Sequence, residues 1–173
     1  MQDKGFGTDS IALNVGMAIG ENAKWQPKWT IEKYDKDMNL YDIEKIEGNL
    51  LLNEGITSLL TLLIGGSETP FNNANAHIGV GDGTTAAVNT QTGLLGTNKS
   101  YAPMDATYPQ VSGNVITFRS TFGPDDGNHN WREFTVANGV FDSAKNLNRK
   151  VESALRTKGS PDTWVIQLQV TIS

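Results

Sequence analysis

The feature that most constrains the fold is the alternation of side-chain types in Val115–Phe122, Trp131–Val136 and Trp164–Ile172. In Trp164–Ile172 every second residue, beginning with the tryptophan, is apolar. Because successive side chains of a strand point to opposite faces, this period of two predicts half-buried β-strands. The loop Gly123–Asn130 is rich in Gly, Pro, Asp and Asn, and it predicts a hairpin that joins the first two runs in an antiparallel sheet.

Further strands are predicted earlier in the chain. Trp25–Tyr34 and Leu40–Ile46 flank the polar turn Asp35–Asn39 and predict a second hairpin, with a bulge near Pro27. His77–Gly81 predicts a short buried strand.

One helix is predicted at about residues 53–64. Asn53 is suited to the N-cap, and Glu54 places a negative charge where the helix dipole favours it. The apolar residues follow helical spacing and predict a helix buried on more than one side, namely Ile56, Leu59, Leu60, Leu62, Leu63 and Ile64. The sequence therefore predicts a mainly β fold, an antiparallel β-sandwich or jelly-roll-like barrel, with one short buried helix and an extended N-terminal arm.

The N-terminal segment admits two interpretations. From Ile11 to Ile19, apolar residues alternate with Ala, Asn and Gly. Such a run is typical of a strand with one small face, or of an arm that becomes ordered only against a partner chain. We predict residues 1–24 as an arm and residues 25–173 as a single β-rich domain. The predicted partner-binding residues of the arm are Phe6, Ile11, Leu13 and Val15.

Length, composition and charge exclude several kinds of chemistry and several classes of partner. The chain has 173 residues, enough for a core without a metal or a disulfide, and it has 0 Cys, which excludes thiol catalysis. Its net charge of -5 argues against a broad nucleic-acid-binding face. The longest apolar run, Leu59–Ile64, is too short to span a bilayer, and the N-terminus lacks the pattern of an export signal, so we predict no membrane partner.

Candidate chemical sites are weak. Gly79–Gly83 resembles a phosphate loop but lacks the Lys and Ser/Thr pair, so a turn is the better interpretation. Asp125–Asn128 offers oxygen ligands without the distal Glu of a calcium loop. The two histidines, His77 and His129, have no Cys or carboxylate at ligand spacing. We therefore predict no metal and no cofactor.

Catalytic residues are equally hard to assemble. Ser120, His129 and Asp126 could form a triad only on paper, because no nucleophile elbow surrounds the serine. A hydrolase acting on cell-wall sugar would have to use the carboxylates Asp125, Asp126 and Glu133. The four tryptophans could stack against sugars, but each lies on a strand, so packing in a core or an interface is the better prediction. We predict that the protein is not an enzyme and has no catalytic residues.

The order of certain segments along the chain resembles that of a known group of proteins. The pieces that carry the resemblance are His77–Ala86, Val115–Phe122, Trp131–Phe134, Leu147–Val151 and Lys158–Ile172, after an apolar helix. In this order the chain, from about Asn49 to Ser173, resembles a group of small structural proteins of tailed-bacteriophage virions. The resemblance implies a capsid decoration, or cement, protein that binds and stabilises the head shell. A tail or tail-fibre component that contacts the host surface is the alternative.

The resemblance also implies partners and a location. The partner is expected to be the major capsid protein or, for a tail component, tail proteins or a host surface glycan. Decoration proteins of this kind are commonly trimers, so a homotrimer is expected. The protein would be made in the host cytoplasm and located on the virion, on the capsid surface rather than the tail.

Overall fold

The computed structural model describes residues 24–140 and 144–173. Those residues form ten β-strands and one α-helix. In chain order these elements are β1 Trp25–Tyr34, β2 Leu40–Glu47, β3 Leu50–Leu51, α1 Asn53–Leu63, β4 His77–Gly81, β5 Lys99–Pro103, β6 Gln110–Ser112, β7 Val115–Phe122, β8 Asn130–Ala137, β9 Asn148–Thr157 and β10 Thr163–Ile172. Among the described residues, no helix has both the length and the apolar character needed to cross a membrane.

The strands form two antiparallel sheets that pack face to face. The first sheet has the order β2-β1-β10-β7-β6, and the second has the order β3-β9-β8-β4-β5. Apolar residues from both sheets meet in one core, which includes Trp29, Ile166 and Phe118 from the first sheet and Ile78 and Phe134 from the second. The predicted mainly β, sandwich-like architecture is confirmed.

The predicted hairpin between β7 and β8 is wrong, although both strands exist. β7 pairs with β10 and β6 in the first sheet, whereas β8 pairs with β4 and β9 in the second. The intervening loop therefore carries the chain from one sheet to the other. The rings of Phe122 and Trp131 pack edge to face across this corner, with centroids 4.8 Å apart. Each of the two strands must bury an apolar face in the shared core. They can do so from opposite sheets of the sandwich as well as side by side in one sheet.

The β1–β2 hairpin is confirmed, but the predicted bulge near Pro27 is wrong, because the register is regular there and shifts between Lys33 and Tyr34. Its turn is held by Asp35, whose Oδ1 accepts hydrogen bonds from the backbone N–H groups of Asp37 and Asn39, both at 2.9 Å. Four strands of the structure were not predicted, namely β3, β5, β6 and β9. β3 and β6 are only two and three residues long, and β5 and β9 do not show the apolar alternation that identified the other strands.

The helix differs most from its prediction. Leu52, and not Asn53, is the N-cap residue, and no side chain caps the helix. The buried residues of α1 are Gly55 and Ser58, and not its large apolar ones. A Cβ atom at position 55 would lie 2.6 Å from the Cα of Leu147, so only glycine allows the helix this close to the backbone. The prediction of a helix buried on more than one side is therefore wrong.

The predicted arm lies almost wholly outside the described residues, and so do its predicted contact residues Phe6, Ile11, Leu13 and Val15. Lys24 is the first described residue. Its backbone N–H donates to the carbonyl of Ser173 at 2.6 Å, and the N–H of Ser173 donates back at 3.2 Å. The chain therefore enters the first sheet beside the last strand.

Candidate partner-binding surface

The exposed side of α1 is apolar. We call Ile56, Leu60, Leu63 and Ile64 the helix face. Leu63 is 81% exposed and the C-cap residue Ile64 is 84% exposed, while Leu60 is 59% exposed. Because the small residues Gly55 and Ser58 occupy the inner side, the spacing of three and four residues places the large ones outside. Large contiguous apolar patches on a soluble surface typically mark interaction sites.

An apolar groove of about 310 Å³ continues the helix face into the end of the sandwich. Leu59 of α1 belongs to its lining and connects the two features. The other large apolar side chains of the lining are Trp25, Phe71, Val111, Val115, Ile116, Phe118, Leu147 and Ile172. Several of these remain open to solvent, because Val111 is 74% exposed and Ile172 is 52% exposed.

Hydrogen bonds at the ends of the strands fix one wall of this groove. Asn114, in the turn between β6 and β7, accepts a backbone bond from Ile172 at 3.0 Å and donates its side-chain amide to the carbonyl of Ile172 at 2.7 Å. The start of β1 lies on the other side of the end of β10. The groove wall is thus built on rigid sheet ends, which is how a binding surface keeps its shape without a partner.

Trp25 adds a polar feature to the apolar groove. Its indole N–H is buried and has no hydrogen-bond acceptor in the described part of the chain. A buried donor without an acceptor costs about 1–3 kcal/mol. The indole N–H of the core residue Trp29 is unpaired in the same way, so this feature is not specific to the groove.

The ion pair between Glu133 and Arg149 is shielded from solvent. Glu133 and Arg149 are both fully buried, and Arg149 Nη2 lies 2.6 Å from Glu133 Oε2. The other carboxylate oxygen accepts backbone N–H bonds from Gly83 at 3.2 Å and Gly96 at 2.6 Å, and Leu95 donates to Oε2 at 3.1 Å. The pair thus fastens the long connection between β4 and β5, and its hydrogen-bonding capacity is used within the chain.

This network explains the glycine-rich segment that resembles a phosphate loop. A Cβ atom at Gly81 would lie 2.6 Å from Glu133 Oε1, and one at Gly83 would lie 2.5 Å from the same atom. The glycines therefore let the backbone approach the buried carboxylate. Asp82 accepts bonds from both the backbone and the side-chain amide of Asn98, and the side-chain bond is the main reason that the pKa of Asp82 lies below its usual value.

The acidic loop after β7 binds the ammonium group of Lys158. Lys158 is buried, and its Nζ donates to the carbonyl of Gly123 at 2.7 Å and to Asn128 Oδ1 at 2.9 Å. Burial lowers the pKa of Lys158, while the charges of Asp126 and Asp125 oppose that change. An ammonium group therefore lies where the sequence had suggested a calcium ligand set. Within residues 24–140 and 144–173, no group of three His or acidic residues could hold a metal ion.

The hypothetical triad of Ser120, His129 and Asp126 is not assembled. The hydroxyl of Ser120 is buried and donates to the carbonyl of Ala102 at 3.2 Å. His129 Nε2 instead lies 3.1 Å from the hydroxyl of Ser100. Glu133 is enclosed in its ion pair, so it does not join Asp125 and Asp126 on one surface.

The tryptophans behave largely as predicted. Trp29, Trp131 and Trp164 are buried in the core, and Trp131 and Trp164 pack edge to face with centroids 4.9 Å apart. Trp25 is partly exposed in the groove. Sequence reasoning missed the helix face because the helical period identifies an apolar side without saying whether that side faces inward. The signal that could have found it is the pair Gly55 and Ser58 on the opposite side.

Neither models of protein families, nor curated proteins, nor solved structures gave a match to this chain.

Proposed function

We propose that this chain is a bacteriophage virion structural protein, a capsid decoration protein without catalytic activity, whose helix face binds the major capsid protein of the head shell. The observation that carries the proposal is the outward apolar face of α1, with Leu63 and Ile64 more than four-fifths exposed at 81% and 84%. The order of sequence segments that resembles virion proteins supports the choice of a phage head as the binding partner.

The physical basis is burial of apolar surface on a rigid body. Burying a leucine or isoleucine side chain contributes roughly 1.5–3 kcal/mol before the costs of association are subtracted. A few such residues give modest affinity for one site. A shell that presents many equivalent sites to a homotrimer raises the effective concentration of the second and third contacts. We include the homotrimer in the proposal, and light scattering would test it through the mass in solution.

The experiment is cosedimentation of the purified protein with mature phage heads that lack it, with isolated tails in parallel. The test variant is Leu60→Asp combined with Leu63→Asp, and the matched control is Leu155→Asp, since Leu155 is 55% exposed on β9. The proposal expects saturable binding to heads by the wild type and the control, and at least tenfold weaker binding by the helix variant. Equal binding by all three proteins would refute the role of the helix face.

The same experiment separates the alternative. A tail or tail-fibre component would sediment with tails and not with heads. If it contacts host glycans, the exposed edge of Trp25 would be its first candidate, and Trp25→Ala would abolish glycan binding. Sedimentation with neither particle would remove the virion assignment altogether.

A further inference from the structure

We propose that a cavity beside β9 binds an extended, acidic peptide of a partner protein, which adds as a strand to the free edge of β9 and places a carboxylate against Arg132. We call this cavity the β9 pocket. Its walls are residues 49–50 at the start of β3, residues 84, 86 and 87 of the connection after β4, residues 149–153 of β9, and Arg132 of β8. It shares no lining residue with the apolar groove or the helix face, so the proposal is independent of the helix face and of the virion assignment.

The first argument is the free edge of β9. β3 pairs with β9 only at Asn148 and Arg149, and no described strand continues along that side. On its other side, β9 pairs with β8 at residues 150–151 and 156–157, so the four residues between them have no strand partner on either side in residues 24–140 and 144–173. Unpaired backbone groups of an edge strand are the template to which an extended peptide adds. The β9 pocket lies against this edge, and its volume of about 600 Å³ is within the range of roughly 300–1,000 Å³ typical of ligand sites.

The second argument is the charge of Arg132. Its Nη1 donates to the carbonyl of Ser153 at 2.7 Å, and its remaining N–H groups bond to no acceptor in the described part of the chain. Arg132 also has no acidic partner there. The other three arginines of the chain each have one, in the pairs Arg119–Asp105, Arg149–Glu133 and Arg156–Glu44. A guanidinium binds a carboxylate through two parallel hydrogen bonds, so an Asp or Glu side chain of the occupant would supply the partner that Arg132 lacks.

The third argument is the balance of charge around the pocket. Lys150 Nζ lies 2.8 Å from Glu152 Oε1, and the buried Arg149 is paired with Glu133. The charge of Arg132 is therefore the one left over, and the pocket is positive in a chain whose net charge is -5. The bulge of β9 explains the position of this charge, because four residues of β9 stand opposite Arg132 alone. Bulges often lie beside active sites, where they redirect a side chain.

The test begins with selection of mRNA-displayed random heptapeptides on the immobilised full-length protein. We expect Asp or Glu at one fixed position of the enriched peptides, at least fivefold more often than in the starting library. The most enriched peptide is then synthesised with a fluorescent label, and its affinity is measured by fluorescence anisotropy. Arg132→Gln should weaken binding at least tenfold, whereas the matched control Arg119→Gln, on β7 of the first sheet, should leave it unchanged. No enriched peptide, an enriched set without the acidic position, or equal binding by the two variants would overturn the proposal.

Two changes to the peptide separate strand addition from simple attraction of a carboxylate. Replacing its acidic residue by the corresponding amide should weaken binding to the wild type about tenfold but add little in Arg132→Gln, because the two changes remove the same contact. N-methylation of single backbone amides should abolish binding only at the amides that face β9, since those of an added strand alternate between its two sides. Uniform loss, or no loss, would overturn strand addition. The double variant Leu60→Asp and Leu63→Asp should bind the peptide as the wild type does, and a loss there would place the peptide on the helix face and overturn the proposal.

Discussion

The two most unusual regions of this molecule are opposite in the kind of side chain that they bury and the kind that they expose. Around Glu133 and Arg149, two charges are completely buried and their hydrogen bonds are made within the chain. Around α1 and the groove, large apolar side chains are exposed and Trp25 retains an unpaired buried N–H. The first region therefore completes the fold, whereas the second leaves apolar surface open to solvent.

The comparison also separates stability from function. Buried ion pairs are not strong stabilisers relative to apolar packing, but removing one partner leaves an uncompensated charge. The Glu133–Arg149 pair is therefore a point at which the fold can be broken. The helix face makes few contacts with the rest of the chain, so substitutions there should leave the fold intact and affect binding.

The largest loss of stability is expected from Arg149→Met. This change leaves the carboxylate of Glu133 buried with backbone N–H groups as its only partners, and it removes the bonds to Thr85 and Gln91. We expect a loss of about 3–5 kcal/mol in the free energy of unfolding, measured with urea. The matched control is Arg132→Met. Arg132 donates to the carbonyl of Ser153 at 2.7 Å from the surface, and its loss should cost about 1 kcal/mol. Similar losses for the two variants would contradict the contrast between the regions.

The second effect tests which side of α1 faces inward. Gly55→Ala would normally stabilise a helix by about 1 kcal/mol. Here the new methyl group would collide with the backbone of Leu147, so we expect a net destabilisation of about 1–3 kcal/mol. Gly159→Ala is the control, because no atom lies within 4 Å of its added Cβ. If Gly55→Ala raised the urea midpoint, the small side of the helix would not be the packed one, and the helix face would lose its basis.

Much of the fold could be predicted from the sequence, and the failures have physical causes. Val115–Phe122 is β7 with the same boundaries, because a strand with one buried face requires alternation. The pairing of β7 was missed, since alternation fixes which face is buried and not which strand lies alongside. α1 was located correctly but its orientation was reversed. The close contact between Gly55 and Leu147 decides that orientation, and its local signal in the sequence is the small pair Gly55 and Ser58.

The candidate site was less predictable than the fold. The groove is lined by residues from four strands, the helix and three connecting segments, so its members are close only after folding. Trp25 and Ile172 could each be recognised as strand residues, but their meeting at one end of the sandwich follows from the pairing of β1 with β10. The predicted site residues in the arm lie outside the described residues, and their role remains a prediction.

A smaller effect is expected for a partly exposed ion-pair group, which sharpens the contrast with the buried pair. Glu44 bonds to Lys33 and Arg156. Burial alone would raise the pKa of Glu44, but the bonds from Lys33 and Arg156 outweigh it and hold that pKa below its usual value. The stabilisation is therefore present above the unfolded pKa of 4.5 and is lost as the pH falls through the lower folded value.

Glu44→Gln should remove this acid dependence. We expect the variant to lose about 1 kcal/mol or less at pH 7 and to show a shallower fall in stability below pH ~4.5, measured by urea unfolding as a function of pH. Asp37→Asn is the control, because Asp37 pairs only with its exposed neighbour Lys36. An unchanged slope for Glu44→Gln would show that other carboxylates dominate the acid sensitivity.

The smallest effect on stability, and the one that isolates the binding surface, is expected from Leu63→Glu. Its side chain is 81% exposed, so the change should alter the free energy of unfolding by no more than about 0.5 kcal/mol. The adjacent Leu62 is half-buried, so Leu62→Glu should cost clearly more, because it brings a charge against the body of the protein. Equal urea midpoints for wild type and Leu63→Glu, with a lower midpoint for Leu62→Glu, would confirm that the fold does not need an apolar residue at position 63. The leucine there would then require an explanation outside the fold, and loss of binding to phage heads by Leu63→Glu would supply it. A large loss of stability for Leu63→Glu would instead place the helix face within the folded core and remove the reason to seek a partner for it.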